Sequence, residues 1–256
     1  MNFNNYFTYS ESKNLSFSFP TSSFVTFLGD GNKRLIDNLL FKNNHDYVTL
    51  MFAKINFKNI FKYKKNVSFV LHEHINLFVG ETVSDDIAFG MECLGLNKNE
   101  MEDKILKYAK KFEIMNLLDK DPNSLGISDK VKIKIVGSLV CEPKVLVLDE
   151  VLCELDKCDL NMVIKNLDDF VNNDNIVFNF TSDVSECLFG SDVVVLNNEK
   201  ILISGKTINV LNEDKLMKKL GVGLPFLVEV NKYLMDYGIV DKYFDSVSEL
   251  VDDIWK

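Results

Sequence analysis

Apolar and polar positions change period several times along this chain. Residues 15–28, LSFSFPTSSFVTFL, alternate and then become continuously apolar, which predicts two strands joined by a Pro-Thr-Ser turn. GDGNK follows, and RLIDNLLF beyond it has helical spacing. Further strands are predicted over residues 48–54 and 66–71. From Thr82 to about Leu118 the period is helical, with Ile105, Tyr108, Ala109 and Phe112 on one face. A helix over 129–141 stops at Glu142-Pro143. A strand at 144–148 comes next, then a helix around 158–171 aligned through Leu160, Ile164, Leu167 and Val171. NIVFNF (175–180) predicts a buried strand, and DVVVLNNEKILIS (192–204) a hairpin turning at Asn197-Asn198. The last predicted stretch, 213–256, is helical with a break at GVGLPF near residue 223. Strands alternating with helices predict a largely parallel sheet covered on both faces.

Composition narrows the class. A chain of 256 residues, 46% hydrophobic and 26% charged, is long enough for one large α/β domain with a small appendage. The net charge of −9 argues against a nucleic-acid partner, which needs a basic face. Arg34 is the single arginine, and glutamine is absent. The five cysteines form no CxxC pair and read as reduced, intracellular thiols. No run of about 18 apolar residues predicts a membrane span, and the polar, aromatic N-terminus does not read as a signal peptide.

One stretch carries chemistry. In KVLVLDEVLCELD (144–156), a buried strand ends in adjacent carboxylates, Asp149 and Glu150, with Asp156 six residues later. Nucleoside triphosphatases place a magnesium-ordering aspartate and a water-activating glutamate in this way. The bland reading is a buried strand meeting a polar loop whose acids only cap and hydrogen-bond. GDGNK alone reads more readily as a tight turn than as a phosphate cradle. His72 and His74 read as polar surface-loop residues rather than zinc ligands. Asp85-Asp86, Asp168-Asp169 and Asp252-Asp253 read as solvated helix faces.

Taken in order, FVGETVSDDIAFGMECLGLNKNEM (78–101), PNSLGISDKVKIKIVGSLVCEPKVLVLDEVLCELD (122–156) and FTSD (180–183) resemble the ATP-binding subunits of ABC transporters. FVGETVSDDIAFG and the tail LGVGLPFLVEVNKYLMDYGI bring the likeness nearer to the ATPases of energy-coupling factor (ECF) transporters, importers of vitamins and metal ions. The resemblance spans nearly the whole chain. It implies Asp149 as the magnesium partner, Glu150 as the residue that polarises the attacking water, and Asp156 as the dimer-contacting aspartate. Tyr9 falls where an aromatic ring stacks on adenine, although it could equally pack on its own sheet.

Other positions depart from the family pattern. The phosphate loop should read G-x-x-x-x-G-K-[ST]. FVTFLGDGNKRLIDNLL keeps Gly29, Gly31 and Lys33, but Arg34 stands where Ser or Thr would reach magnesium, and Asp30 would repel phosphate. His72 replaces the Q-loop glutamine, and Ser182 the switch histidine. The signature has become Leu125-Gly126-Ile127-Ser128-Asp129. Losing a lysine contact and a metal ligand together costs about 3–6 kcal/mol, roughly two to four decades of affinity. Lys33 and Arg34, at a predicted helix start, offset part of this.

The resemblance therefore implies an α/β ABC-type P-loop domain over 1–205, with an N-terminal antiparallel β subdomain, a RecA-like parallel sheet and a helical subdomain near 82–141. A C-terminal helical extension would fill 206–256. The implied function is an ATP-binding subunit of an ECF-type importer, using ATP and Mg2+ weakly or not at all at its own site. The alternative is a non-hydrolysing structural or regulatory subunit supporting an intact ATPase. Implied partners are a second ABC ATPase, with a heterodimer favoured over a homodimer, a transmembrane coupling protein and a substrate-binding membrane component. Such a subunit would sit on the cytoplasmic face of the membrane through these partners.

Overall fold

The computed structural model describes residues 6–10, 15–29, 32–40, 49–51, 60–198, 200–213, 217, 223–244 and 246–255. Its centre is a six-stranded sheet. The strands are β3 (Ser23–Gly29), β5 (Val67–Leu71), β6 (Val145–Asp149), β7 (Ile176–Thr181), β8 (Asp192–Asn197) and β9 (Lys200–Lys206). They lie in the order β5-β6-β7-β3-β8-β9, parallel except for the β8–β9 hairpin. A smaller antiparallel sheet, order β2-β1-β4, joins β1 (Tyr6–Ser10), β2 (Ser16–Pro20) and β4 (Thr49–Met51).

The continuous apolar runs are strands buried on both faces, as parallel sheets require. Within β6, Leu146 and Leu148 face one layer while Val145 and Val147 face the other. The first layer is helical: α3 (Val83–Cys93), α4 (Lys98–Lys111), α5 (Ile127–Leu139) and α6 (Lys157–Val171). The second contains the small sheet with α1 (Asn32–Leu39) and α2 (Ile60–Asn66). Phe7, Phe17, Phe19, Phe27, Phe178 and Phe180 fill it, Phe27 stacking on Phe180 at 4.5 Å between ring centroids. Rings of this size bury about 150–250 Å2 each, so this layer is held largely by phenylalanine.

The predicted helical run from Thr82 is two helices, divided at Leu94-Gly95, where Gly95 takes φ 77°. Each starts on a reciprocal cap: Thr82 with Asp85, and Asn97 with Glu100. Two expectations need correction here. Asp86 is not a solvated helix-face residue: its carboxylate accepts from Val79 N at 2.8 Å and pairs with Lys134 at 3.1 Å. The tail, expected to be helical with a single break near residue 223, is interrupted a second time. After α7 (Thr207–Leu211) come α8 (Phe226–Asp236) and α9 (Val247–Ile254). The intervening segment is bound by the buried Asn231, which donates to Phe244 O and accepts from Phe244 N, both at 2.9 Å. A side chain thus supplies the backbone partners that a helix would otherwise have given. Tail residues Val210, Leu211, Met217 and Val228 pack with Leu28, Val193 and Val195 of the central sheet.

Candidate functional site

Register places Leu71, Asp149 and Phe180 side by side, so β5, β6 and β7 end at one edge. β3 ends there too, because Leu28 pairs with Thr181. Open α/β sheets bind ligands beyond such carboxyl ends. The edge carries His72, Asp149, Glu150, Thr181, Ser182, Gly29 and, at the start of α1, Asn32, Lys33 and Arg34. Asp30 and Gly31 lie outside the described residues.

Asp149 and Glu150 are half-buried. Burial first, then the charges of Glu150, Glu73 and Asp37, push the Asp149 carboxyl up to about 6, with His72 opposing. Glu150 adopts φ 49°, a left-handed conformation uncommon for a residue other than glycine. Its amide donates to Phe180 O at 2.9 Å, and Thr181 Oγ1 donates to its Oε2 at 3.5 Å. His72 is exposed and pairs with Glu154 Oε1 at 2.9 Å, tying the loop after β5 to the loop after β6. Ser182 is exposed in the turn after β7.

Gly29 is explained by packing: at φ 107°, a Cβ would collide with the Leu196 carbonyl oxygen of β8. Lys33 and Arg34 are exposed on the first turn of α1. Asn32 Nδ2 reaches both Phe27 O and Thr181 O at 3.4 Å, while its Oδ1 is buried without a hydrogen-bond partner. Tyr9 requires correction as an adenine platform. Its ring is 0% exposed, stacked on Phe17 at 5.1 Å, and its hydroxyl accepts from Asn38 Nδ2 at 3.0 Å.

Ser128 and Asp156 meet at a second place, where α5 and α6 begin. Ser128 Oγ donates to Asp159 Oδ2 at 2.5 Å and accepts from Asp156 N at 3.4 Å. Asp156 caps α6, accepting from Cys158 N and Asp159 N. Lys132, its side chain 8% exposed, lies 2.9 Å from both Asp129 and Asp159. Burial raises the Asp159 pKa, but the Ser128 hydroxyl and the Lys132 ammonium outweigh it and hold the carboxyl below its ordinary value. Asp129, at the degenerate signature, thus has its charge paired within the fold by Lys132.

The sequence reading missed Thr181, Glu73, Asp37 and Glu186. Thr181 had an available signal, standing beside the switch position; Asp37 lies one helical turn beyond Lys33. The residues fit their implied cofactor unevenly. Burial, and after it the neighbouring carboxylates, raise the Asp149 pKa, and a divalent cation there would offset both, so the acid set suits Mg2+. The same acids disfavour phosphate, and Tyr9 offers no face to a base. Among the described residues no cluster of three His, Cys, Asp or Glu has metal-binding geometry of its own.

A mostly parallel sheet with Asp-Glu ending a central strand, opposite a helix begun by adjacent cations, defines the class of P-loop-type nucleoside triphosphatase domains. The pattern of the family described as "ABC transporter" matches residues 13–152, and the chain belongs to that family. Its relatives include the energy-coupling factor transporter ATP-binding protein EcfA1 of Mycoplasmopsis synoviae, 29% identical over 81% of this chain and 76% of that protein. The protein of the same name from Lactobacillus acidophilus is 30% identical over 72% of this chain and 66% of that one. Among solved structures, cbiO1 from Clostridium perfringens, part of the ABC transporter complex cbiONQ, shares the fold. It superposes at a TM-score of 0.73 with 22% identity, covering 88% of this chain and 98% of that one.

Proposed function

We propose that this chain is the ATP-binding subunit of an ECF-type importer, coupling ATP binding and hydrolysis to uptake of a vitamin or metal ion. The supporting observation is the pair Asp149-Glu150 at the parallel sheet's carboxyl edge, with Thr181 bonded to Glu150. Asp149 would hold Mg2+, which neutralises charge on the phosphates; Glu150 would orient water. Lys33 and Arg34 would supply a reduced phosphate grip at the start of α1. Among the described residues no helix is long and apolar enough to cross a membrane. We place the subunit at the cytoplasmic face, docked on a transmembrane coupling protein that works with a substrate-binding membrane component, and beside a second, different ABC ATPase. Residues 206–256 would form its C-terminal extension.

A second reading has its own support: Tyr9 is buried, Ser128 is engaged by Asp159, and acids surround Asp149. On that reading the chain is a non-hydrolysing scaffold for an intact partner. Calorimetric titration of the purified chain with ATP and Mg2+, followed by Glu150→Gln in the assembled transporter, separates the two. Weak but measurable binding, and a large loss of ATPase and transport in the variant, are expected. Absence of binding to millimolar ATP together with unchanged rates would establish the scaffold instead.

A further inference from the structure

A buried polar pair, one member on β7 and one on the turn after it, plays no part in the proposed chemistry. Glu186 lies in the 3-10 turn Val184–Phe189 and is 3% exposed. Asn179 of β7 is 0% exposed and donates through Nδ2 to Glu186 Oε2 at 2.8 Å. The other oxygen of each side chain, Glu186 Oε1 and Asn179 Oδ1, is buried without a hydrogen-bond partner. With Glu186 ionised both orphans are acceptors, and buried polar atoms are rarely left unpaired. One proton answers both. A carboxylic acid and a primary amide meeting edge to edge exchange two hydrogen bonds, N–H to the carboxyl oxygen and O–H to the amide oxygen.

The pair ties the turn to the sheet at a place where the turn's own bonds are long. Glu186 N donates to Asp183 O at 3.2 Å, and Gly190 N to Cys187 O at 3.3 Å. Thr26 Oγ1 of β3 reaches Glu186 O at 3.5 Å. Cys187, 0% exposed, joins Leu28 and Val193 in an apolar cluster. We propose that Glu186 and Asn179 form a proton-dependent latch: closed as a neutral acid–amide pair, it holds the Val184–Phe189 turn on the sheet, and loss of the Glu186 proton loosens that turn.

On ionisation the proton goes to solvent and the bond to Asn179 Oδ1 is lost. A buried carboxylate then remains, facing an amide oxygen that also lacks a donor. Such a charge is costly, and opening of the turn to water relieves it. The titratable groups around Glu186 offer no cation. They are Asp183 and Cys187 on its own turn, with Glu150 and Cys153 from the loop after β6. β7 and β3 face it with the neutral Asn179 and Thr26. Burial foremost pushes the Glu186 pKa up to about 7; the Asn179 amide opposes the rise, and the anions at 183 and 150 add to it. The latch is therefore set to release as pH passes neutrality, in the turn that begins two residues beyond Ser182.

The latch needs no nucleotide, so it is tested on the full chain alone. With 13C at the glutamate carboxyl carbons, an NMR titration identifies the Glu186 signal by its loss in Glu186→Gln, and its midpoint is expected near neutrality. Hydrogen exchange read by mass spectrometry, corrected for its intrinsic dependence on pH, follows the turn. Amides of residues 184–191 are expected to exchange roughly 30-fold faster at pH 8 than at pH 5.5, the ratio that a carboxyl moved from 4.5 to about 7 implies. Strand β6 should stay more protected than the turn at both pH values. In Glu186→Gln the new amide can pair with Asn179 through two bonds and has no proton to lose, so exchange in the turn should no longer depend on pH. A Glu186 midpoint near the ordinary glutamate value overturns the proposal, a buried water then serving the two oxygens. Turn and β6 exchanging at one rate throughout would overturn it as well, because the turn would have no opening of its own. Should Glu186→Gln fail to fold, the glutamate signals and the exchange profile of the unaltered chain decide.

Discussion

Two acidic corners of this molecule solve the same problem differently. At the start of α5 and α6, Asp129 and Asp159 share Lys132, and Ser128 completes the set. At the ends of β6 and β7, Glu150 bears electrostatically on both Asp149 and Glu186; among the described residues none of the three makes a salt bridge to a lysine or arginine, and Asp149 and Glu186 have raised pKa values. A buried carboxylate beside an ammonium is content ionised; one beside other carboxylates wants a proton or a metal ion. The first corner is therefore closed on itself. The second is suited to receive a cation.

The largest test of this contrast is Glu186→Gln. A pKa raised from 4.5 to about 7 means that the folded state binds the extra proton in that interval. Stability should fall as pH rises from about 4.5 to about 7 and then level off, by up to about 3 kcal/mol. The variant should lose that slope and gain most of this amount at pH 8. Urea denaturation at several pH values reads both, and an unchanged slope would break the comparison. Lys132→Met should do the reverse at the other corner. Leaving Asp159 and Asp129 without their shared cation should cost about 2–3 kcal/mol at pH 7, allowing for the partial exposure of Asp129.

Tyr9→Phe sharpens where the nucleotide site ends. Losing the bond from Asn38 should cost about 1 kcal/mol of stability and leave ATP affinity unchanged. A large drop in affinity with little change in stability would return Tyr9 to the binding site. The smallest effect concerns the metal. Mg2+ should stabilise the chain by about 0.4 kcal/mol at a concentration equal to its Kd, and so raise its unfolding midpoint. Asp149→Asn should abolish that rise; persistence of the rise would move the cation elsewhere.

Much of the scaffold was legible because it depends on local pattern. Strands buried on both faces must be continuously apolar, so β3, β6 and β7 stood out, and Asn197-Asn198 marked the β8–β9 hairpin. Short elements escaped. α2 and α7 have seven and five residues, too few for a helical period to assert itself. The break between α8 and α9 escaped because it is held by a side-chain contact, Asn231 of α8 to the Phe244 backbone, that has no periodic signature.

The site was legible in part for the same reason. Asp149, Glu150 and Asp156 follow a buried strand at fixed spacing, and spacing is carried by sequence. What surrounds an acid is not. Nothing in the spelling of Ser128, Asp129, Lys132 and Asp159 says that they close on each other, and nothing in FTY says that Tyr9 is buried against Phe17. Sequence determined the order of strands and helices and the acids at the end of β6, because those follow from periodicity along one chain. Tertiary structure decided which acids are neutralised and which remain in need of a proton or a cation. Desolvation and Coulomb interaction depend on distance through space, and folding sets those distances between residues far apart in the chain.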